Sequence, residues 1–236
     1  MAPKNTMNDD MYFLDWFDYN EEQREERRKD FKYVLNEGEI IFDAADFTRT
    51  GKHIFGQVSM TTNYAGIEWL HRELSPHGFV VHPVRIKYDP TPSHIDCSLV
   101  VLRPGLVMEN PDRSLHPEDK VLWESNGWKF ITSPHPDNPK LPEFSQSSKW
   151  LNMNVLVISE DKVVVEAEEE SIAHLLEDNG FTVLPVNFRK VFEFGGSLHC
   201  STWDIEREDA AYDLFPNFKI EESEWHKRFI TDEKLV

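Results

Sequence analysis

The stretch VLVISEDKVVVEAEEESIAHLLEDNGFTVLPVNF, residues 155–188, decides the fold. It begins with two β-rich runs around the turn signal Glu160-Asp161, which predicts a hairpin. A helical segment follows and stops before Gly180, because glycine one step past the last helical residue is the expected left-handed cap. An extended segment closes the stretch. The predicted unit is therefore strand, strand, helix, strand.

The same arrangement occurs twice more in the chain, at a period of roughly 50 residues that is typical of a repeat architecture. Gly78 and Gly127, each followed by an aromatic residue, mark the ends of two further helical segments. Turn signals at Gly51 and Gly105 predict the hairpins upstream of them. The sequence thus predicts three complete modules, at about 43–86, 96–133 and 153–187.

The predicted strands contain continuous apolar runs, as in Leu99 to Leu102 and Val155 to Ile158. Both faces of such strands are normally covered, which favours an α/β fold with helices outside and neighbouring modules inside. The segment GGSLHC, residues 195–200, is interpreted as the opening strand of a fourth, incomplete module. A ring of modules would bring equivalent residues together at its axis, so function is expected where the modules open.

Composition excludes several classes of protein. The 236 residues, 39% of them hydrophobic, suffice for a buried core. A net charge of −18 argues against a nucleic-acid binder, which needs a positive face. The sequence contains no apolar run of about 18 residues, the length that would predict a membrane span. The start MAPKNTMNDD lacks the features of a signal peptide, so the expected location is cytoplasmic.

The histidine spacings match no metal-ligand motif, and no glycine-rich phosphate loop occurs, so we expect no cofactor. Two distant cysteines do not make a disulfide framework. Three regions are predicted: a charged N-terminal flank at 1–40, a body at 41–207 and an acidic C-terminal tail at 208–236.

Polar residues stand at the predicted module openings: Asp43 and Asp46 in the first, His94 and Asp96 in the second, and Cys200 in the fourth. A thiolate nucleophile needs a base or cation to lower its pKa, and a histidine held by a carboxylate supplies one. Asp43, His94 and Cys200 are therefore candidate catalytic residues. Carboxylates at Asp46 and Asp96 would form a negative pocket suited to a planar cation such as a guanidinium.

Structural interpretations of the same residues remain open at this point. A cysteine after two glycines is more often a small buried hydrophobic residue, and an aspartate at a strand edge often caps a turn. Cys97 is the rival nucleophile. It follows Asp96 on an apolar strand, where burial and a negative neighbour both raise a thiol pKa, so we interpret it as a core residue.

Five ordered blocks of the sequence resemble the glycine amidinotransferase family of the pentein superfamily: FDAADFTRTGKHIF, TTNYAGIEWLHREL, HIDCSLVVLRPGLVMENPDR, SSKWLNMNVLVI and GGSLHCSTWDIERE. The resemblance runs from about Ala2 to Arg207. It implies modules of a five-bladed pentein α/β propeller. It also implies transfer of the amidino group of L-arginine to an amine, typically glycine.

The resemblance assigns a role to each matching residue. Cys200 matches the nucleophile that attacks the guanidinium carbon. His94 matches the residue that protonates the departing ornithine and later accepts a proton from the acceptor amine, and Asp43 matches its acidic partner. Asp96 matches a carboxylate that holds the guanidinium.

Four further residues are implicated in substrate binding by the same resemblance. Arg113 and Ser148 match residues that bind the amino-acid portion of the substrate. Thr91 and Ser93 fall in the loop associated with the choice of acceptor, where the sequence departs from the family pattern. The departure leaves the identity of the amine acceptor open.

The opening APKNTM resembles an internal stretch of full-length family members, whose upstream half supplies the other blades. The chain is therefore expected to lack N-terminal modules, which a second copy or another chain would supply. Two alternatives remain open: a catalytically inactive binding protein that keeps the fold, and a guanidino hydrolase of the arginine deiminase type.

Overall fold

A computed structural model of the chain describes residues 39–59, 61–86, 94–140, 148–205 and 212–219, together with Glu22. Thr91 and Ser93, the two residues of the predicted acceptor loop, lie outside the described residues. So do almost all of the charged flank and most of the acidic tail.

Each described module contains one three-stranded sheet and one α-helix. In every sheet the first two strands form an antiparallel hairpin, and the third pairs parallel to the second after the helical crossover. The first module comprises β1 (Phe47–Thr50), β2 (His53–Gln57), α1 (Tyr64–Leu74) and β3 (Val80–Val84); the second β4 (Leu99–Arg103), β5 (Leu106–Glu109), α2 (Pro117–Ser125) and β6 (Lys129–Thr132); the third β7 (Leu156–Ser159), β8 (Lys162–Glu166), α3 (Glu170–Asp178) and β9 (Thr182–Val186).

The described residues also form five short 3-10 helices before, between and after these elements: η1 (Ala44–Asp46), η2 (Ser75–His77), η3 (Ile95–Cys97), η4 (Lys149–Met153) and η5 (Arg189–Phe194). Three of them, η1, η3 and η4, stand immediately before the first strand of a module. The strand, strand, helix, strand order predicted for these three segments agrees with the structure.

The helical segments end as the glycine pattern predicts. Gly78, Gly127 and Gly180 have φ values of 82°, 84° and 85°, in the left-handed region that a side chain disfavours. Each glycine is followed by an extended residue that leads into the third strand. The chain reversal between helix and strand is therefore encoded locally.

The core lies between neighbouring modules. Val107 and Met108 are adjacent on β5, so their side chains point to opposite faces of the sheet, and both are fully buried. Val107 belongs to a cluster shared with the first module, which includes Phe55 and Trp123. Met108 belongs to one shared with the third module, which includes Trp150. Both faces of the central sheet are covered, as its apolar runs predict.

Part of the predicted acidic tail packs into this core. Phe215 is fully buried in the cluster around Phe55 and Trp123. The indole Nε1 of Trp128 donates a hydrogen bond of 3.2 Å to the carbonyl oxygen of Leu214. Residues 212–219 are therefore an integral part of the body.

The prediction of an opening strand at 195–200 is wrong. Residues 198–201 form a turn, in which the N–H of Ser201 donates to the carbonyl of Ser197 at 3.1 Å. The side-chain oxygen Oδ1 of Asn154 accepts hydrogen bonds from the backbone N–H groups of Ser197 and Cys200. A side chain thus satisfies backbone donors that a strand would pair in a sheet, and the described residues contain three sheets.

Candidate active site

The 3-10 turns that precede the modules bring the polar residues together. η1 contacts η3, and η3 contacts η4. Asp43 stands at the start of η1, His94 at the start of η3, and Asn154 at the end of η4. The turn at 198–201 returns to this place and carries Cys200.

Asp43 faces His94 with one carboxylate oxygen. Oδ1 of Asp43 accepts the N–H of Ala45 at 3.1 Å and so caps η1. Oδ2 lies 3.7 Å from Nε2 of His94. This separation exceeds that of a hydrogen bond, but it places the two side chains next to each other. The side chains are 33% and 41% exposed, so both can reach a bound substrate.

Asp96 is the most densely contacted carboxylate of the site. Its Oδ2 accepts hydrogen bonds from Nδ2 of Asn154 at 2.7 Å, from Nδ1 of His199 at 2.8 Å and from the Cys200 thiol at 3.3 Å. Its Oδ1 is buried and has no hydrogen-bond partner among the described residues. One oxygen is thus fixed by the protein, while the other keeps acceptor capacity.

These contacts set the charge of Asp96. Burial raises the pKa of the carboxyl, but the hydrogen bond and charge of His199 lower it, as do the Cys200 thiol and the Asn154 amide. Together these contacts outweigh the effect of burial, and the pKa of Asp96 lies below its ordinary value. Asp96 therefore carries a negative charge at neutral pH.

The Cys200 thiol is shifted in the opposite direction. Burial and the negative charge of Asp96 raise its pKa to about 11. The group is accordingly a thiol, which donates to Asp96, when the site holds no cation. A positive charge next to Asp96 would favour the thiolate.

Two residues of this constellation were missed by sequence reasoning. Nδ2 of Asn154 donates both to Asp96 and, at 3.2 Å, to Sγ of Cys200, so one side chain joins the carboxylate to the turn at 198–201. His199 adjoins Cys200 and reaches the same carboxylate. Asn154 lies in the quoted block SSKWLNMNVLVI, but no spacing signal connects it with a cysteine 46 residues away.

The structure places Asp46 differently from its prediction. Asp46 is fully buried, and its carboxylate accepts hydrogen bonds from four protein side chains: Gln57, Ser59, Thr61 and Thr62. A carboxylate so enclosed does not line an open negative pocket. The structure therefore does not support Asp46 as a substrate contact.

Arg113 and Ser148 are also buried, at 7% and 4% exposure. Nε of Arg113 donates to Oγ of Ser98 at 2.8 Å. Oγ of Ser148 accepts the N–H of Trp150 at 3.1 Å and caps η4. Their roles in substrate binding stay predictions.

Cys97 is a core residue, as predicted. It is 4% exposed within the cluster between the second and third modules. Burial raises its pKa well above the ordinary value for a thiol, and the charge of Asp96 raises it further. Cys200 is therefore the candidate for the reactive thiol.

Neither a metal site nor a membrane-spanning helix is present in the described part of the chain. No group of three or more histidine, cysteine, aspartate or glutamate residues there is arranged to hold a metal ion. None of the helices described combines the length and apolar character needed to span a bilayer.

Comparison with known proteins identifies the family. No family model matches the sequence. The mitochondrial glycine amidinotransferase of Xenopus tropicalis is 42% identical over 214 residues, which are 91% of this chain and 50% of that protein. The L-arginine:L-lysine amidinotransferase of Pseudomonas savastanoi pv. phaseolicola is 38% identical over 206 residues, 87% of this chain and 54% of that protein. The chain belongs to the amidinotransferase family.

A solved amidinotransferase has the same fold. SxtG, from the saxitoxin biosynthetic pathway of Microseira wollei, superposes with a TM-score of 0.70 at 35% identity, over 78% of this chain and 53% of SxtG. The three modules described above are therefore amidinotransferase modules. The chain spans about half the length of the curated amidinotransferases that it matches.

Proposed function

We propose that this protein transfers the amidino group of L-arginine to an amine acceptor through an amidino-cysteine on Cys200. One observation carries the proposal: the ionised Asp96 carboxylate contacts the Cys200 thiol at 3.3 Å. An anion beside a thiol hinders thiolate formation unless a cation binds between or next to them. The arrangement suits a nucleophile that becomes reactive when a cationic substrate arrives.

A guanidinium is the cation that fits this requirement. It is planar, always charged at neutral pH and presents N–H donors in pairs. Oδ1 of Asp96, which is buried and unpaired among the described residues, supplies an acceptor for one of these donors. Binding would offset the carboxylate charge, lower the Cys200 pKa and place the electrophilic carbon near Sγ.

The proposed reaction has two halves. In the first, the Cys200 proton passes to His94, the thiolate forms a bond to the guanidinium carbon, and the carbon–nitrogen bond to ornithine breaks as His94 returns the proton to the leaving nitrogen. In the second, the acceptor amine attacks the amidino carbon and gives a proton to His94. The carbon–sulfur bond breaks, and His94 reprotonates the sulfur.

Asp43 is assigned the role of stabilising His94 while it carries the proton. The 3.7 Å separation of Oδ2 and Nε2 supports this role, because a carboxylate at that distance attracts the positive charge that the imidazole ring carries after it has taken up a proton. Asp43 does not itself need to accept the proton.

The acceptor is proposed only as a class, a glycine-like primary amine. The relatives are named for glycine and for L-lysine, so the family uses more than one acceptor. Thr91 and Ser93 remain the proposed residues of acceptor choice, and Arg113 and Ser148 those of the amino-acid portion. A second copy or another chain as partner, and a cytoplasmic location, also remain proposals.

Product analysis tests the function. The purified protein is incubated with L-arginine labelled at the guanidino carbon and with glycine or L-lysine, and the products are separated by mass spectrometry. We expect ornithine and a labelled guanidino compound in equal amounts. Cys200→Ala should abolish both, while Cys97→Ala, a matched loss of the other thiol, should retain them in the folded fraction.

Two other results would contradict amidino transfer. Labelled citrulline or urea would indicate water as the acceptor and therefore a guanidino hydrolase. Absence of ornithine, citrulline and urea alike would favour a non-catalytic binding protein.

A further inference from the structure

A single hydroxyl group connects the two aspartates of the first module opening. Oγ1 of Thr62 accepts the backbone N–H of Asp43 at 3.0 Å. The same hydroxyl donates to Oδ2 of Asp46 at 2.6 Å. Thr62 is 1% exposed and Asp46 fully buried, so water does not compete for these bonds.

The direction of the two bonds is fixed by chemistry. A backbone N–H can only donate, so Oγ1 of Thr62 accepts from Asp43, and the hydroxyl hydrogen points to the Asp46 carboxylate. The lone pairs of Oγ1 are then left for the Asp43 N–H. The short 2.6 Å bond to Asp46 thus holds the Thr62 side chain in the rotamer in which Oγ1 accepts the N–H of Asp43.

Asp46 is itself held rigidly. Its Oδ1 accepts from Nε2 of Gln57 at 2.6 Å. Its Oδ2 accepts from Ser59 at 2.6 Å and from Thr61 at 2.9 Å, in addition to Thr62. These donors come from the end of β2 and from the segment that leads to α1, so the carboxylate fastens η1 to both elements.

The network continues to the other side of the Asp43–His94 contact. Oε1 of Gln57 accepts from Nη2 of Arg113 at 3.4 Å, and Nε of Arg113 donates to Ser98. Ser98 directly follows η3, the turn that begins after His94. The buried polar chain therefore ties η1, which carries Asp43, to η3, which carries His94.

The backbone around Asp43 is fitted to α1 as well. The N–H of Asn63 donates to the carbonyl of Ile41 at 3.0 Å. A Cβ on Gly66 would lie 2.2 Å from that carbonyl oxygen, so the close approach requires glycine. Residues 41–43 are thus held against the start of α1. Within this segment, Thr62 contacts Asp43 itself, whose carboxylate faces His94.

From these contacts we propose that Asp46 and Thr62 are positioning residues of the site. They orient Asp43 so that its Oδ1 caps η1 while its Oδ2 faces His94. The inference rests on the proposed function, in which His94 carries protons. It gives Asp46 a task different from the substrate contact expected from the sequence.

The test compares three variants of the purified protein with wild type. Thr62→Val removes the hydroxyl and keeps the shape, Thr62→Ser restores a hydroxyl, and Thr50→Val is the matched control. Thr50 is 3% exposed and donates to the His53 carbonyl at the far end of β1, so its loss also removes a buried hydroxyl. kcat, KM for L-arginine, Tm and a crystal structure are obtained for each.

We expect Thr62→Val to lower kcat about tenfold with KM for L-arginine nearly unchanged, because misplaced proton-transfer groups slow chemistry more than binding. Thr62→Ser should recover most of the rate. Thr50→Val should lower Tm as Thr62→Val does, yet keep kcat. In the crystal structures, Oδ2 of Asp43 should move away from its wild-type position 3.7 Å from Nε2 of His94 in Thr62→Val alone.

The possible failures are distinguishable. An unchanged kcat in Thr62→Val, or an unchanged Asp43–His94 geometry, would overturn the positioning role while leaving the proposed function intact. If wild type itself releases no ornithine, the proposed function fails, and the crystallographic distance alone then decides the positioning role.

Discussion

Sγ of Cys200 lies 3.3 Å from Oδ2 of Asp96, and the pKa values of these two groups are shifted in opposite directions. The carboxyl pKa falls below its ordinary value, mainly through His199 acting against burial, and the thiol pKa rises to about 11. The Cys200 thiol therefore stays protonated, and so poorly nucleophilic, at neutral pH when no cationic substrate is bound. Burial is the larger cause of the raised thiol pKa and the charge of Asp96 adds to it, so the reactivity of Cys200 should respond to a change of that charge.

Removal of that charge should activate the thiol. In Asp96→Asn the negative neighbour is lost, so the Cys200 pKa should fall and alkylation by iodoacetamide at pH 8 should accelerate, about tenfold for each unit of pKa decrease. Peptide mass spectrometry assigns the alkylation to Cys200. In wild type, the rate should keep rising with pH beyond pH 9, because the pKa is about 11.

Asp112→Asn is the matched control for this charge change. Asp112 is 41% exposed and pairs with Lys149 at 3.0 Å. Its neutralisation should leave the alkylation rate of Cys200 unchanged. Equal rates in wild type and Asp96→Asn would contradict the assignment of Asp96 as a cause of the raised thiol pKa.

Gly196 should be required for the position of the Cys200 side chain. A Cβ at this residue would lie 2.8 Å from Cβ of Cys200 and 3.4 Å from Sγ, so Gly196→Ala must displace the cysteine. We expect a loss of ornithine release of about a hundredfold, since a shift of about 1 Å at a reacting group has that effect. Ornithine release per folded molecule measures it.

Gly78→Ala separates this effect from general destabilisation. Gly78 has φ of 82° and no atom within 4 Å of an added Cβ, so the substitution strains the backbone without a clash. It should cost about 1–2 kcal/mol of stability and leave the rate per folded molecule unchanged. Comparable rate losses in both variants would argue against a specific role for Gly196.

The packing of residues 212–219 predicts a large stability effect at Phe215. This side chain is fully buried against Phe55, Trp123 and Trp128. Phe215→Ala should lower the free energy of unfolding by about 3–5 kcal/mol, which urea denaturation measures. Phe194→Ala, at a side chain 88% exposed, should change it little. A small effect at Phe215 would show that the segment is only loosely attached.

The parts of the fold that could be predicted from sequence are those encoded within a few residues. The hairpin turn at Gly105 and the left-handed cap at Gly127 each depend on the local conformational freedom of one glycine. Because these signals recur with the same spacing, three modules follow from them. His94 and Asp43 stand at equivalent positions, the openings of two predicted modules, so the sequence predicts that they lie close together. In the structure, Nε2 of His94 lies 3.7 Å from Oδ2 of Asp43.

The remainder depends on contacts between distant residues. Asn154 acts through Asp96 and Cys200, which are 58 and 46 positions away, and asparagine has no periodicity that would signal this. Phe215 reaches a core built by the first two modules although the apolar residues around it are unevenly spaced. The prediction of a strand at 195–200 fails because the backbone N–H groups of Ser197 and Cys200 bond to the Asn154 side chain and not to a neighbouring strand. That long-range contact has no local signal in the sequence.

The most direct test of the account is the covalent state of Cys200 during turnover. The protein is mixed with L-arginine labelled at the guanidino carbon, without acceptor, quenched in acid, digested and analysed by peptide mass spectrometry. We predict one labelled amidino group on the peptide that contains Cys200, none on the peptide that contains Cys97, and release of the label when an acceptor amine is added before quenching. Ornithine formation without a label on Cys200 would contradict the amidino-cysteine intermediate.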